Sequence, residues 1–119
     1  MKKTTFEELE KKVIKWGEEK GIFDKATPLT QIAKTREELE ETEEAIEHQS
    51  RGYVEYVNKK LKLVNTNLEI KDGFGDQLVT LILGMEMQGL TLVECLESAY
   101  NVISKRTGKM INGQFVKDE

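Results

Sequence analysis

Proline, cysteine and histidine each occur once in this 119-residue chain. With Pro28 the only proline, the rest of the sequence lacks the residue that most often interrupts helices. The lone Cys95 excludes an internal disulfide and a cysteine-based zinc cluster, and the lone His48 excludes a site built on paired histidines. A reducing, cytoplasmic setting fits that usage. Long apolar runs are missing as well: Leu78–Met87 falls short of the roughly 20 residues that span a bilayer and carries Glu86. The N-terminal MKKTTFEELEKK is charged throughout and has no apolar segment of the signal-peptide kind, so neither signal nor membrane anchor is expected. Positive charge is also scarce, at 18 Lys and Arg against 22 Asp and Glu for a net −4. That balance speaks against a nucleic-acid polymer as partner, because duplex binding rests on neutralising phosphates with basic side chains. Phosphates, if bound, are expected through a metal. No P-loop, dinucleotide-binding glycine pattern or Ser-His-Asp set is present to direct the reading elsewhere.

What is there is 38% hydrophobic and 34% charged residues, the balance of a helix-rich globular chain. Residues 1–119 are read as a single domain with one modest core that needs help from other subunits. Thr5 and Glu8 have the spacing of a capping box, and Phe6, Leu9, Val13 and Trp16 recur at helical spacing until Gly21. A loop, GIFDKA, leads to Thr27-Pro28, which opens a second helix to about His48 or Ser50, before Gly52. Residues 53–68 suit a helix and a strand about equally, and a short helix or irregular connector is expected. A third, central and buried helix is expected from about Ile70 to Gln88 or Gly89. Thr91 and Glu94 cap a fourth, ending near Arg106 with Gly108 as its C-cap, and Asn112-Gly113 marks a two-residue hairpin turn in the tail. The fold class expected is all-α, four helices with a short C-terminal β-hairpin.

The acidic second helix carries the chemistry. At 100° per residue, Gln31, Lys34, Glu38, Glu41 and Ala45 share one arc, with Ile32, Leu39, Thr42 and Ile46 as an apolar stripe beside it. Glu40, Glu43, Glu44 and Glu47 point the other way, into solvent. Glu38 and Glu41 border the stripe, where a carboxylate needs a cation or donor to meet it. On the third helix Asp72 and Asp76 are four apart and share a face. Together the four offer hard oxygen ligands for Mg²⁺. The bland reading is that the glutamates are solvated and that Asp72 caps the third helix with Asp76 in its first turn. Asn101, Lys105 and Arg106 are open to a similar choice between a solvated helix end and a phosphate site, and Trp16 to one between core packing and stacking on a base.

The stretch KTREELEETEEAI, with Glu37, Glu38 and Glu41 as EExxE, followed by DGFGDQLVTLI, resembles the MazG-like branch of the all-α nucleoside triphosphate pyrophosphohydrolases. That superfamily also includes dimeric dUTPases and phosphoribosyl-ATP pyrophosphatases. WGEEKGI, GLTLVECLESAYNVISKR and GKMINGQFVK extend the resemblance over most of the chain. The resemblance implies a four-helix fold assembled as a homodimer or homotetramer. It also implies a nucleoside triphosphate substrate cleaved between its α- and β-phosphates with Mg²⁺, or Mn²⁺ in its place. Carried over residue by residue, Glu38, Glu41, Asp72 and Asp76 hold metal and Glu37 or Glu38 serves as general base. Gln31, Lys34, Trp16, Asn101, Lys105 and Arg106 hold substrate. The family's second motif is Glu-x-x-Asp; Asp76 supplies the aspartate, but Gly73 stands at the glutamate position and the connector is slightly long. Either Asp72 substitutes or the site has one ligand fewer. The alternatives are a non-catalytic nucleotide-binding or oligomerisation module that retains the fold, or an acid-rich interaction protein without nucleotide.

Overall fold

Helix α1 (Phe6–Glu19) begins where the Thr5 hydroxyl accepts a hydrogen bond from Glu8 N at 3.2 Å and ends before Gly21, whose φ of +74° turns the chain. The computed structural model describes residues 3–119; Met1 and Lys2, the start of the charged N-terminal stretch, lie outside the described residues. The expected GIFDKA loop is instead a one-turn helix, α2 (Ile22–Lys25), which Gly21 permits by reversing the backbone just before it. Thr27 and Thr30 cap each other reciprocally and Pro28 takes the first position of α3 (Pro28–Ser50).

Residues 53–68 correct the expected connector. They form an antiparallel hairpin of β1 (Glu55–Val57) and β2 (Leu63–Asn65), with Tyr56 opposite Val64. Its period of two shows in burial, since Tyr56 is buried between exposed Glu55 and Val57. Asn58 shapes the turn: its Oδ1 accepts from Lys60 N at 2.9 Å and Lys62 N at 3.0 Å, while Leu61 takes a left-handed φ of +62°. The Tyr56 ring stacks on His48 of α3 at 4.0 Å and 9°, which seats the hairpin on that helix.

Asn65 then caps α4 (Thr66–Met87), accepting from Leu68 N at 3.0 Å. The helix therefore starts a full turn before Ile70, the start expected from the apolar pattern. Asp72 is not its cap and Asp76 is not in its first turn, so neither acid is explained by the helix end. Helices α3 and α4 run antiparallel, because successive contacts climb one and descend the other: Gln31 with Gly84, Thr35 with Thr80, Thr42 with Gln77 and Gly73, Gln49 with Asn67. Their interface is unusually polar. Thr42 and Thr80 are buried alongside Ala45, Ile82 and Leu83, whereas Ile32, Leu39 and Ile46, expected to be covered, are 42%, 52% and 41% exposed. Helix α4 is correspondingly less enclosed than expected, with Phe74 and Leu78 on its open side.

Chain contacts divide into two compact units, Met1–Gly89 and Leu90–Glu119. The second consists of α5 (Leu92–Ile103) and a hairpin of β3 (Gly108–Ile111) and β4 (Gln114–Lys117). Thr91 and Glu94 form the expected capping box, and Asn112 and Gly113 make the expected turn with φ of +50° and +81°. The C-cap of α5 is Ser104, not Gly108. Gly108 is a strand residue, where a Cβ would collide with Val116 O. The chain is mostly helical, with the sheet structure confined among the described residues to these two hairpins. Among the same residues no single helix is long and apolar enough to cross a membrane.

Candidate functional site

Two helix faces and one hairpin tip build an acidic cavity of about 240 Å³. Helix α3 contributes Glu38 and Glu41, one turn apart; α4 contributes Glu69, Asp72 and Asp76, at i, i+3 and i+7. The β1–β2 hairpin contributes Asn58, Lys60, Lys62 and Val64. Five carboxylates against two lysines leave the lining with three net negative charges. The cations expected beside the α3 glutamates are present: Lys60 Nζ lies 3.1 Å from Glu41 Oε1, and Lys34 Nζ lies 3.4 Å from Glu37 and 3.7 Å from Glu38.

These cations do not neutralise the cavity. Burial, then the charges of Glu41 and Asp76, push the Glu38 carboxyl above its ordinary range. Burial followed by Asp72 and Glu41 does the same to Asp76, and burial followed by Glu41, Asp72 and Asp76 to Glu69. Carboxylates of α3 and α4 thus act on one another across the cavity.

Gly73 lies at the centre of this wall, buried against Thr42. A Cβ there would collide with Thr42 Oγ1, so the glutamate expected at this position has no room. Glu69, one turn earlier on the same face, stands in the cavity instead, and Glu69-Ile-Lys-Asp72 itself reads Glu-x-x-Asp. Glu69 and Lys60 are the residues that sequence reasoning missed. The i, i+3, i+7 spacing to Asp76 was the available signal for Glu69, obscured because the helix was expected to begin only at Ile70. Lys60 gave no signal before the connector was known to be a hairpin.

A second cavity of about 460 Å³ adjoins the first and shares Glu38 and Asp76 with it. Trp16, Ile22, Val79 and Leu83 give it apolar walls, and Thr30, Gln31, Lys34 and Thr80 its polar groups. Trp16 is 45% exposed and lines this cavity, which corrects the core position favoured by its helical spacing. Thr35 and Thr80 hydroxyls meet at 2.6 Å, and Gln77 Nε2 donates to Thr42 Oγ1 at 3.0 Å, tying the two helices together behind the site.

The structure brings together Glu38, Glu41, Asp72 and Asp76 in one cavity, and Trp16, Gln31 and Lys34 in the other. Glu37 lines neither; it faces a smaller cavity with Glu40, Glu44 and Tyr56, and Glu44 is accordingly half-buried, not on a fully solvated arc as expected. Asn101 lies in α5, and Lys105 and Arg106 lie beyond its C-cap, all exposed on the second unit.

The donors suit a hard divalent cation, being carboxylates only, with mutual repulsion that a cation would relieve. Among the described residues no three His, Cys, Asp or Glu side chains are already drawn together as a metal-binding group. Comparison of the chain with protein-family models, curated proteins and solved structures finds no match.

Proposed function

We propose that this protein is a Mg²⁺-dependent nucleoside triphosphate pyrophosphohydrolase that releases the monophosphate and pyrophosphate. The observation that carries the reading is the pair of adjoining cavities, one acidic and one aromatic and partly apolar, which share Glu38 and Asp76. A triphosphate and a nucleoside differ in the same way, and a substrate lying across the shared residues would place each part in the matching cavity. Glu38, Glu41, Asp72 and Asp76, with Glu69, would hold Mg²⁺ or Mn²⁺. Bound there, the ion supplies charge stabilisation at the phosphoryl oxygens and lowers the pKa of an attacking water.

The chain's own residues do the rest. Trp16 offers a ring face to the base and Gln31 an amide to its edge, while Lys34 presents its ammonium at the boundary of the two cavities. Glu38 is in reach of both cavities and is proposed, with Glu37 as the alternative, as the group that takes a proton from water as the phosphoanhydride breaks. Asn101, Lys105 and Arg106 are proposed as further phosphate-binding residues on the strength of the resemblance alone.

We further propose that the protein works as a homodimer or homotetramer in the MazG-like four-helix arrangement. Ile32, Leu39 and Ile46, each seven residues apart on α3, and Leu96, Tyr100 and Ile103 on α5 are left exposed in the single chain.

The test is release of pyrophosphate and monophosphate from a panel of ribo- and deoxyribonucleoside triphosphates with Mg²⁺ or Mn²⁺. Turnover of at least one nucleotide is expected, with loss of roughly 100-fold or more in Glu38→Gln and Glu41→Gln. A second reading, a nucleotide-binding module without turnover, draws on Gly73 at the glutamate position. Tight metal-dependent nucleotide binding with no product from any nucleotide would establish it and overturn the first.

A further inference from the structure

The β1–β2 hairpin has no part in the motif pattern, yet its tip reaches the acidic cavity. Lys60 Nζ sits 3.1 Å from Glu41, and Glu37 and Glu38 add to the negative field around it. The tip is held by hydrogen bonds within its own turn. Asn58 Oδ1 holds the amides of Lys60 and Lys62, Leu61 N donates to Asn58 O at 2.9 Å, and Asn58 N to Lys62 O at 2.9 Å. Tyr56, stacked on His48, fixes the hairpin to the helix that carries Glu41. The lysine is therefore delivered to the cavity by a rigid mount, while its own long side chain remains free to change partner.

The pair it makes is a weak one. The Lys60 and Glu41 side chains are 60% and 39% exposed, and an ion pair so open to water contributes little. A divalent cation carries twice the charge and is able to coordinate several of the five carboxylates at once, whereas the ammonium touches one. Resting on the reading of this cavity as a divalent-cation site, we propose that Lys60 and the cation compete for Glu41, and that Lys60, once displaced, binds the phosphates of the metal-bound triphosphate. Lys60 is then a substrate-positioning residue that the connector supplies. Charge balance favours the exchange, since the incoming phosphates replace the carboxylate that the lysine has given up. Lys59, adjacent in sequence, lines only the smaller cavity, whereas Lys60, Glu41 and Glu69 line both, which makes Lys59 the control for a neighbouring charge that does not reach the acidic cavity.

Calorimetric titration of Mg²⁺ into nucleotide-free protein, and of a non-hydrolysable deoxynucleoside triphosphate into protein saturated with Mg²⁺, tests this on the full chain. Lys60→Ala is expected to bind Mg²⁺ about two- to fivefold tighter than wild type and the nucleotide weaker by at least a similar factor. Lys60→Arg is expected to restore both values, and Lys59→Ala to leave both unchanged. Unchanged Mg²⁺ affinity, or unchanged nucleotide affinity, in Lys60→Ala would overturn the role of Lys60 while leaving the cation site standing. Wild-type protein that takes up no Mg²⁺ or Mn²⁺ would overturn the site itself, and this inference with it.

Discussion

Gly73 of α4 faces Thr42 of α3 so closely that a single added carbon would strike the threonine hydroxyl. That hydroxyl is itself engaged, donating to Glu38 O at 2.8 Å and accepting from Gln77. Helix propensity alone favours alanine over glycine by about 1 kcal/mol. At position 73 the collision outweighs it, so Gly73→Ala is expected to destabilise by about 1–3 kcal/mol. Gly75, two residues on, has nothing within 4 Å of where a Cβ would stand. Gly75→Ala should therefore stabilise by about 0.5–1 kcal/mol. Urea denaturation of both variants checks the pair; stabilisation by Gly73→Ala as well would mean that α3 and α4 are not in contact as described.

The acidic cavity is expected to make stability depend on pH and, with the proposed cation, on metal. Glu38, Glu69 and Asp76 hold protons more tightly folded than unfolded, so ionising them costs folding energy. The cost is absent below the ordinary carboxylate range near pH 4 and grows as pH rises through the raised folded values. In EDTA the melting temperature is expected to rise as pH falls from 7 towards 5, and Asp76→Asn at pH 7 to melt roughly 1–3 °C above wild type. Saturating Mg²⁺ should remove the pH trend. Differential scanning calorimetry across that range decides it, and a trend of opposite sign would place these acids in a site already compensated.

Nucleotide and cavity repel one another without a cation. A triphosphate brings roughly four negative charges to a lining that is already negative, and like charges at contact cost kcal/mol each, roughly, even at an effective dielectric near 20. Binding of deoxyuridine, deoxycytidine or adenosine triphosphate is expected to be barely measurable in EDTA and to strengthen steeply with Mg²⁺. Glu38→Gln and Glu41→Gln should blunt that gain, whereas Glu43→Gln and Glu47→Gln, exposed on the far side of α3, should not. Tight binding in EDTA, or equal effects on both sides of the helix, would move the nucleotide elsewhere.

Self-association is expected from how little apolar surface the single chain covers. Among the described residues only Ala45, Tyr56, Ile82 and Leu83 are buried hydrophobic residues, while Leu39 and Leu96 are more than half exposed. Sedimentation equilibrium at micromolar concentration should give at least twice the 13.7 kDa chain mass. Leu39→Glu and Leu96→Glu should each shift it downwards. A wild-type monomer would show that these faces have another use.

Local chemistry was legible without coordinates. Thr5, Thr27-Pro28 and Thr91 announce helix starts through their own side chains, and Asn112-Gly113 a turn through its own backbone freedom, because each signal acts within a few residues. That Glu38 and Glu41 share one helical face, and Asp72 and Asp76 another, was readable for the same reason, as spacing on single helices. Which face of α3 is covered was not. Its apolar stripe pointed to Ile32, Leu39 and Ile46, but the covered arc is the polar one, because α4 meets it with Gly73, Gln77 and Thr80 at matching heights and hydrogen bonds replace apolar contact there. The connector was ambiguous because Tyr56 and Val57 suit strand and helix alike; packing of Tyr56 on His48, eight residues back on another element, decided for the strand. Lys60 became a site residue only through that decision, and Glu69 through the start of α4 at Thr66. Sequence alone determined where α1, α3 and α5 begin and which acids share a helical face. Tertiary structure decided which faces meet, because close approach depends on partners whose positions no local spacing encodes.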